Sequence, residues 1–476
     1  MHRMVFSSLI FLFVFFVIYL ALYFLVSERY KNWVLLIVSL VFYAWGGPEF
    51  LILLVGETFV SWITAVLIGR AETKAAKRLW LIVDLVILLG LLAYFKYAMW
   101  ILGNVHSLFG VPELIPNIVL PIGISFYTFQ LISYTVDVYT EKVAYQPAYW
   151  KLLLYSSLFF QCIAGPIVRY ETVADDIDRR RVTPGDVYAG VRRFCIGLAK
   201  KAILANSCAQ VADTLLPIGT DGIFTQATAG LWLGMAFYML QIYFDFSAYS
   251  DMAIGMGRMV GFRFLENFNY PYMCRSVQDF WRRWHISLST FFRDYVYIPL
   301  GGSRCSKLEY VRNMTVVWFL TGLWHGASWN YILWGLYFLA FLLLEKFVIR
   351  GRIPRGLDHL YGIVVVYFGW VLFKFENFNE LGAVFAGMFG FTPGGFMSME
   401  VQTLFLQNVF LLLFCIVACT NLGQKLRHAL FERSKHSQIA FVLYSATEFA
   451  TPIVLLLLAI VALTGASYNP FIYFQF

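Results

Sequence analysis

The chain has 476 residues, 60% of them hydrophobic and only 13% charged, with a net charge of +8. This composition excludes a soluble globular domain carrying one anchor and defines an all-α polytopic integral membrane protein. It also excludes a nucleic-acid partner as the reason for the positive balance, because Lys and Arg fall in short loops between apolar runs, as cytoplasmic loops require.

The first apolar run, Met4 to Val26, is too long for a signal-peptide core, and Ser27-Glu28-Arg29-Tyr30-Lys31 offers no small-residue cleavage site. It reads as a retained helix. With the N-terminus outside, it delivers Arg29 and Lys31 to the cytoplasm. Trp33 to Trp45 runs outward to Gly46-Gly47-Pro48, and Leu51 to Gly69 returns to the basic stretch Arg70 to Arg78. Leu79 to Leu102 goes out to a loop, Gly103 to Asn117, without Lys or Arg, and Ile118 to Val138 comes back near Glu141 and Lys142. Each side then carries the charge it should, Arg3 excepted.

The middle is less regular. Trp150 to Val168 is apolar but holds Gln161 and Gly165-Pro166, and basic residues flank both ends. That pattern predicts a segment that dips into the bilayer and returns, a path allowed only under protein cover or beside a water-filled cavity. Val187 to Val211 mixes Arg192, Arg193, Lys200 and Lys201 with apolar residues and predicts an amphipathic helix on the cytoplasmic surface. Met314 to Leu344 exceeds the about 20 residues of one crossing. It is interrupted by Trp324-His325-Gly326 and by Ser328, Trp329 and Asn330, which predicts a broken or re-entrant helix around an interior cavity.

Leu360 to Phe373 runs outward, Thr403 to Thr420 returns to Lys425, Arg427, Arg433 and Lys435, and Phe441 to Leu463 goes out again, which places the C-terminus outside. Residues 1–476 read as one membrane domain, with an aromatic tail at 471–476. The seven cysteines follow no metal or disulfide spacing, and Cys415 and Cys419 are helix neighbours suited to packing. No metal motif occurs and no bound cofactor is expected.

Four features could carry chemistry. His325 lies at membrane depth, where an ionisable side chain is costly and its default reading is functional; burial favours the neutral imidazole, ready as a base. Phe280-Trp281-Arg282-Arg283-Trp284-His285 is either an interfacial anchor or a cytoplasmic mouth where arginine meets phosphate and His285 faces inward. Asp245 and Asp251, near the end of a long apolar run, need partners; the arginines of that motif are candidates, in a structural ion pair. The tail Phe471 to Phe476 is either packed or, through Tyr473, an acyl acceptor.

Taken together, Pro121-Ile-Gly-Ile-Ser-Phe126, Tyr243-Phe-Asp-Phe-Ser247, Glu266-Asn-Phe-Asn269, Phe280-Trp-Arg-Arg-Trp-His-Ile-Ser-Leu-Ser289, Arg293-Asp-Tyr295, Leu300-Gly-Gly302 and Leu323-Trp-His-Gly326 resemble the membrane-bound O-acyltransferase (MBOAT) family, most closely its bacterial alginate O-acetyltransferase branch. With Met4 to Ser8 and Gly165-Pro166, the resemblance covers essentially the whole chain. It implies a helical bundle with re-entrant segments around a central tunnel, and transfer of an acyl group from a cytoplasmic thioester, acetyl-CoA by analogy, to a hydroxyl.

By the same resemblance His325 and His285 are the family's two histidines. Trp281, Arg282, Arg283, Trp284, Trp324 and Asn330 would contact donor or substrate, Asp245 and Asp251 would be structural, and Tyr473 would carry the acyl group outward. The implied setting is a bacterial inner membrane, with both termini outside, membrane lipid around the chain and an extracytoplasmic polysaccharide acetyltransferase as partner. A teichoic-acid D-alanylation enzyme and, in a different class, a transporter stay open; against the transporter, the two halves show no repeated pair of broken segments.

Overall fold

The computed structural model of the chain describes residues 5–110, 118–162, 165–349, 351–465 and 469. Among these the secondary structure is helical, with no strand. A chain surrounded by lipid must satisfy each backbone polar group internally, and a helix does so within its own segment. Six helices are long and apolar enough to cross a membrane: Pro48–Arg70, Lys74–Phe109, Trp329–Ile349, Leu357–Lys374, Met399–Ala418 and Gln438–Gly465. Their outer faces are apolar, with Phe410 81% and Phe414 61% exposed. Lipid, not water, suits such surfaces.

The apolar runs read from sequence match helices closely. Leu51 to Gly69 lies inside Pro48–Arg70, which has Pro at its first position, where the missing N–H costs nothing. Leu79 to Leu102 lies inside Lys74–Phe109, which is capped by the Thr73 hydroxyl accepting from the Ala76 amide and closed by Gly110 at φ 65°. Ile118 to Val138 is helical only from Ile124. The basic stretch after Thr420, read as a loop, contains the helix Leu422–Ser434.

The chain forms two compact units. The first comprises Met1–Phe194, Ser250–Glu266 and Thr290–Val296. Within it, Trp150 to Val168 is interrupted: Tyr149–Ser157 ends at Leu158, a short turn Phe159–Cys162 follows, and the backbone beyond Gly165 is not helical. The loose carbonyls are met internally, because the Tyr155 hydroxyl donates to Val168 O at 2.8 Å and Gln161 Nε2 donates to Tyr155 O. This is the cover that irregular backbone needs at membrane depth.

The second unit comprises Cys195–Tyr249, Asn267–Ser289 and Tyr297–Phe476. From Cys195 on, the expectation of a surface helix over 187–211 fails. The segment is Pro184–Ala199, a π-helical stretch Lys200–Ala205 and Asn206–Leu215. Leu198, Ala205, Cys208, Ala209 and Ala212 are buried, and so is Lys201 at 1% exposure. The π-helical register carries Lys201 to the buried face, where its ammonium meets the Asp245 carboxylate at 2.8 Å. The basic count of the segment had suggested a wetted face; its small residues were the better guide.

The long run Met314 to Leu344 is a helical hairpin, Lys307–His325 followed by Trp329–Leu344. A capping box on Ser306 and Glu309 starts the first helix. The two helices touch backbone to backbone: a Cβ on Gly335 would lie 2.4 Å from Trp318 O. Small residues allow this close approach between helices in lipid. The hairpin bend falls at His325-Gly326-Ala327-Ser328, where the sequence clusters its polar groups.

Candidate active site

His325 is the last residue of its helix and is 7% exposed. Its imidazole lies among three aromatic rings, at centroid distances of 5.0 Å from Trp324, 4.9 Å from Trp334 and 5.2 Å from Phe373. All three meet it edge to face. Gly326 leaves the room for this arrangement, since a Cβ there would lie 2.3 Å from the Tyr331 ring. His325 therefore faces protein, not lipid tails.

His285 joins the helices Val277–Arg283 and Ile286–Phe292. It is 1% exposed and adopts φ 43°. A non-glycine residue in that region is uncommon, and strain of this kind gathers at functional sites. Phe246 covers the imidazole edge-on at 4.7 Å, and Trp324 approaches it at 5.6 Å. One indole thus touches both imidazoles.

The proton on His285 can be placed. The Ser287 backbone N–H and hydroxyl both donate to Asn267 Oδ1, at 3.1 and 2.9 Å. A backbone N–H can only donate, so that end of the amide is the oxygen. His285 Nδ1, 3.2 Å from the same oxygen, must then carry the proton. Nε2 keeps its lone pair, is buried, and has no hydrogen-bond partner among the described residues. Burial pushes the imidazole down to about 3, which keeps it neutral. The ring is thus neutral, its tautomer is fixed, and Nε2 is a desolvated lone pair.

Asn267 and Ser287 were not singled out from sequence. The available signal was Ser287 two residues beyond the histidine and Asn267 in the Glu266-Asn-Phe-Asn269 stretch, but their meeting is tertiary.

Trp281 and Trp284 are not interfacial anchors. They are 8% and 2% exposed and pack inward, Trp281 at 4.8 Å from Trp318 and Trp284 at 4.8 Å from Trp370. The helix that carries them is amphipathic, so Arg282 between them is exposed. Arg283 is held by Asp279 at 2.9 Å. Two N-terminal amides of this helix, Val277 and Gln278, donate to the Glu345 carboxylate, which fixes the helix and the loop that holds His285.

Asn330 is fully buried. Its Nδ2 donates to Leu372 O and Phe373 O, each at 3.3 Å. It closes the end of the helix that presents Phe373 to His325.

Pairing of Asp245 and Asp251 with Arg282 and Arg283 is overturned. Asp245 belongs to Lys201 in the second unit, whereas Asp251 belongs to Arg193 at 2.8 Å in the first. Arg193 also grips Glu266 in a bidentate contact, and the two carboxylates raise its already high pKa. The nearer cations were invisible because each lies more than forty residues away in sequence. Tyr473 lies outside the described residues. Among the described residues, no cluster of His, Cys, Asp and Glu could hold a metal ion.

A helical hairpin thus carries a buried imidazole at its bend, and a second, oriented imidazole lies beside the same indole. The model of the membrane-bound O-acyltransferase family matches residues 93–379, and the chain belongs to that family. It is 38% identical to the "Probable alginate O-acetylase AlgI" of Pseudomonas aeruginosa, over 99% of this chain and all of that protein. It is 34% identical to the "Peptidoglycan O-acetyltransferase" of Helicobacter pylori, over 81% of this chain and 80% of the relative. The "Teichoic acid D-alanyltransferase" of Bacillus subtilis is more distant, at 28% over 55% of this chain and 69% of the relative. The protein is a multi-pass membrane O-acyltransferase, and the transporter reading falls.

Proposed function

We propose that this enzyme takes an acetyl group from cytoplasmic acetyl-CoA and exports it across an inner membrane for O-acetylation of an extracellular or cell-wall polysaccharide. The observation that carries the reading is the environment of the two imidazoles: both buried among aromatic rings, both against Trp324, and His285 with a free Nε2. The full-length similarity to an alginate O-acetylase favours acetyl transfer over D-alanylation, for which the similarity covers about half of this chain. The placement of Lys and Arg supports both termini outside and the donor side inside. On this reading residues 1–476 work as one membrane domain, with a tunnel joining donor and acceptor sides.

In the proposed reaction, His325 takes the proton of the accepting hydroxyl as its oxygen attacks the thioester carbonyl. The C–S bond breaks, the proton returns to the departing thiolate, and the imidazole ends neutral. General-base help of this kind is worth about 10²–10⁴ in rate. His285 assists from the donor side, where exposed Arg282 offers charge to donor phosphates. The first acceptor is Tyr473, and an extracytoplasmic acetyltransferase then moves the group to the polymer.

The test is mass spectrometry of the C-terminal peptide after reconstituted full-length enzyme meets isotopically labelled acetyl-CoA. One labelled acetyl group on Tyr473, lost in Tyr473→Phe, is expected. Free CoA released with no label on that peptide would remove the tyrosine relay; no CoA release under any condition would remove acetyl-CoA as donor.

A further inference from the structure

A cavity of about 650 Å³ in the second unit lies among the helices Thr228–Met259, Leu357–Lys374 and Met399–Ala418 and the segment around Tyr272. Neither His325 nor His285 lines it. Its size falls within the about 300–1,000 Å³ of pockets that enclose organic ligands. Most of the wall is apolar, including Leu240, Ile363, Leu412 and Ile416. Ile416 is 52% exposed on a helix apolar enough to cross the membrane, so this wall continues onto a lipid-facing surface.

The lining is different around the start of Leu357–Lys374. Arg275, Arg355 and His359 are exposed and contribute to the same cavity. The one acidic residue in the lining, Asp358, accepts at Oδ1 from the Gly356 and His359 amides at 2.9 and 2.8 Å and also feels the nearby Arg275 charge. His359 Nδ1 lies 2.9 Å from Cys274 O. A carbonyl only accepts, so Nδ1 carries a proton, and Nε2 donates to a phosphate in the imidazolium form.

We propose that this cavity binds an anionic phospholipid, its phosphate at Arg275, Arg355 and His359 and an acyl chain along Leu240, Ile363, Leu412 and Ile416. Charge complementarity commits the occupant: two arginines and an imidazole at one end of an apolar slot match a phosphate joined to hydrocarbon, and basic pockets between membrane helices recognise such headgroups. A soluble phosphate compound would leave the apolar wall unused. A neutral lipid would leave the arginines unused.

The full-length protein in detergent is titrated by native mass spectrometry with dioleoyl phosphatidylglycerol, dioleoyl phosphatidylcholine and CoA. One phosphatidylglycerol should be retained in preference to phosphatidylcholine, and CoA should not displace it. Arg275→Ala with Arg355→Ala should weaken phosphatidylglycerol by about 30-fold, from the usual value of two membrane-surface arginines. Both positions are exposed, so the fold should survive. Ile416→Trp, which narrows the slot from an exposed position, should weaken it with both arginines present. Equal retention of the two lipids, displacement by CoA, or phosphatidylglycerol binding unchanged in the double variant would each overturn the assignment.

Discussion

In the first unit three buried carboxylates are met by hydroxyls. Glu57 accepts from Thr128 at 3.0 Å, Asp84 from Thr64 at 2.9 Å and Asp137 from Tyr295 at 2.7 Å. In the second unit the site groups are imidazoles met by rings: Trp324, Trp334 and Phe373 around His325, and Phe246 and Trp324 around His285. Hydroxyl donors spend themselves on a carboxylate and tie helices together. Aromatic walls shape and dry an imidazole, and at His285 they leave Nε2 uncommitted while Asn267 holds Nδ1. The same cost of burial is therefore met by hydroxyl braces in one region and by an aromatic enclosure in the other.

The largest effect should separate the two regions directly. His325→Ala is expected to lower acyl transfer by about 10²–10⁴, whereas Glu57→Gln, nearly isosteric and still able to accept from Thr128, should leave turnover within a factor of two or so of wild type. Radiolabelled transfer in proteoliposomes reads both. Equal losses would erase the distinction.

The ion pair Lys201–Asp245 comes next, in stability. Removing one partner of a pair this buried strands a charge and costs about 3–5 kcal/mol. Lys201→Met should thus strongly lower the melting temperature in detergent, and adding Asp245→Leu should restore much of it. A single variant that melts like wild type would show that the pair is not closed in the membrane.

Asn267→Ala should cost about 1–3 kcal/mol by orphaning the Ser287 amide and His285 Nδ1. Because it releases the tautomer, turnover should fall while KM holds; Asn267→Asp, which keeps the accepting oxygen, should recover part of the rate. An unchanged rate in Asn267→Ala would make the contact structural only.

The smallest effect concerns pH. Burial holds His285 at about 3 against an ordinary 6.5, so the folded protein favours the neutral ring. The unfolded chain takes up the proton below pH 6.5, and this contribution to stability is complete above that pH and declines as pH falls from 6.5 toward 3. Between pH 6.5 and 5 the loss is at most about 2 kcal/mol. His285→Gln should flatten that part of the melting curve against pH, and a variant with the wild-type slope would contradict the assignment.

The sequence disclosed helices well and side-chain company poorly. Leu51 to Gly69 and Leu360 to Phe373 fell within a few residues of their helices, because twenty apolar residues leave a membrane chain few alternatives. The break at His325-Gly326 was legible for the same reason, since polar residues clustered where no straight crossing tolerates them. Trp281 and Trp284 stayed open between two readings because an inward and an interfacial tryptophan have the same composition around them. Lys201 was misread because a π-helical stretch shifts register, and periodicity assumes none. Asn267 and Ser287 needed the folded loop before their shared task could be seen.

The central claim is that His285 and His325 act as one centre. Turnover of labelled acetyl-CoA by wild type, His285→Ala, His325→Ala and the double variant, each shown to be folded, tests it most directly. Groups that act as a unit are strongly non-additive. The double variant should be hardly slower than His325→Ala alone. Losses that simply multiply, or a His325→Ala enzyme as fast as wild type, would contradict the account.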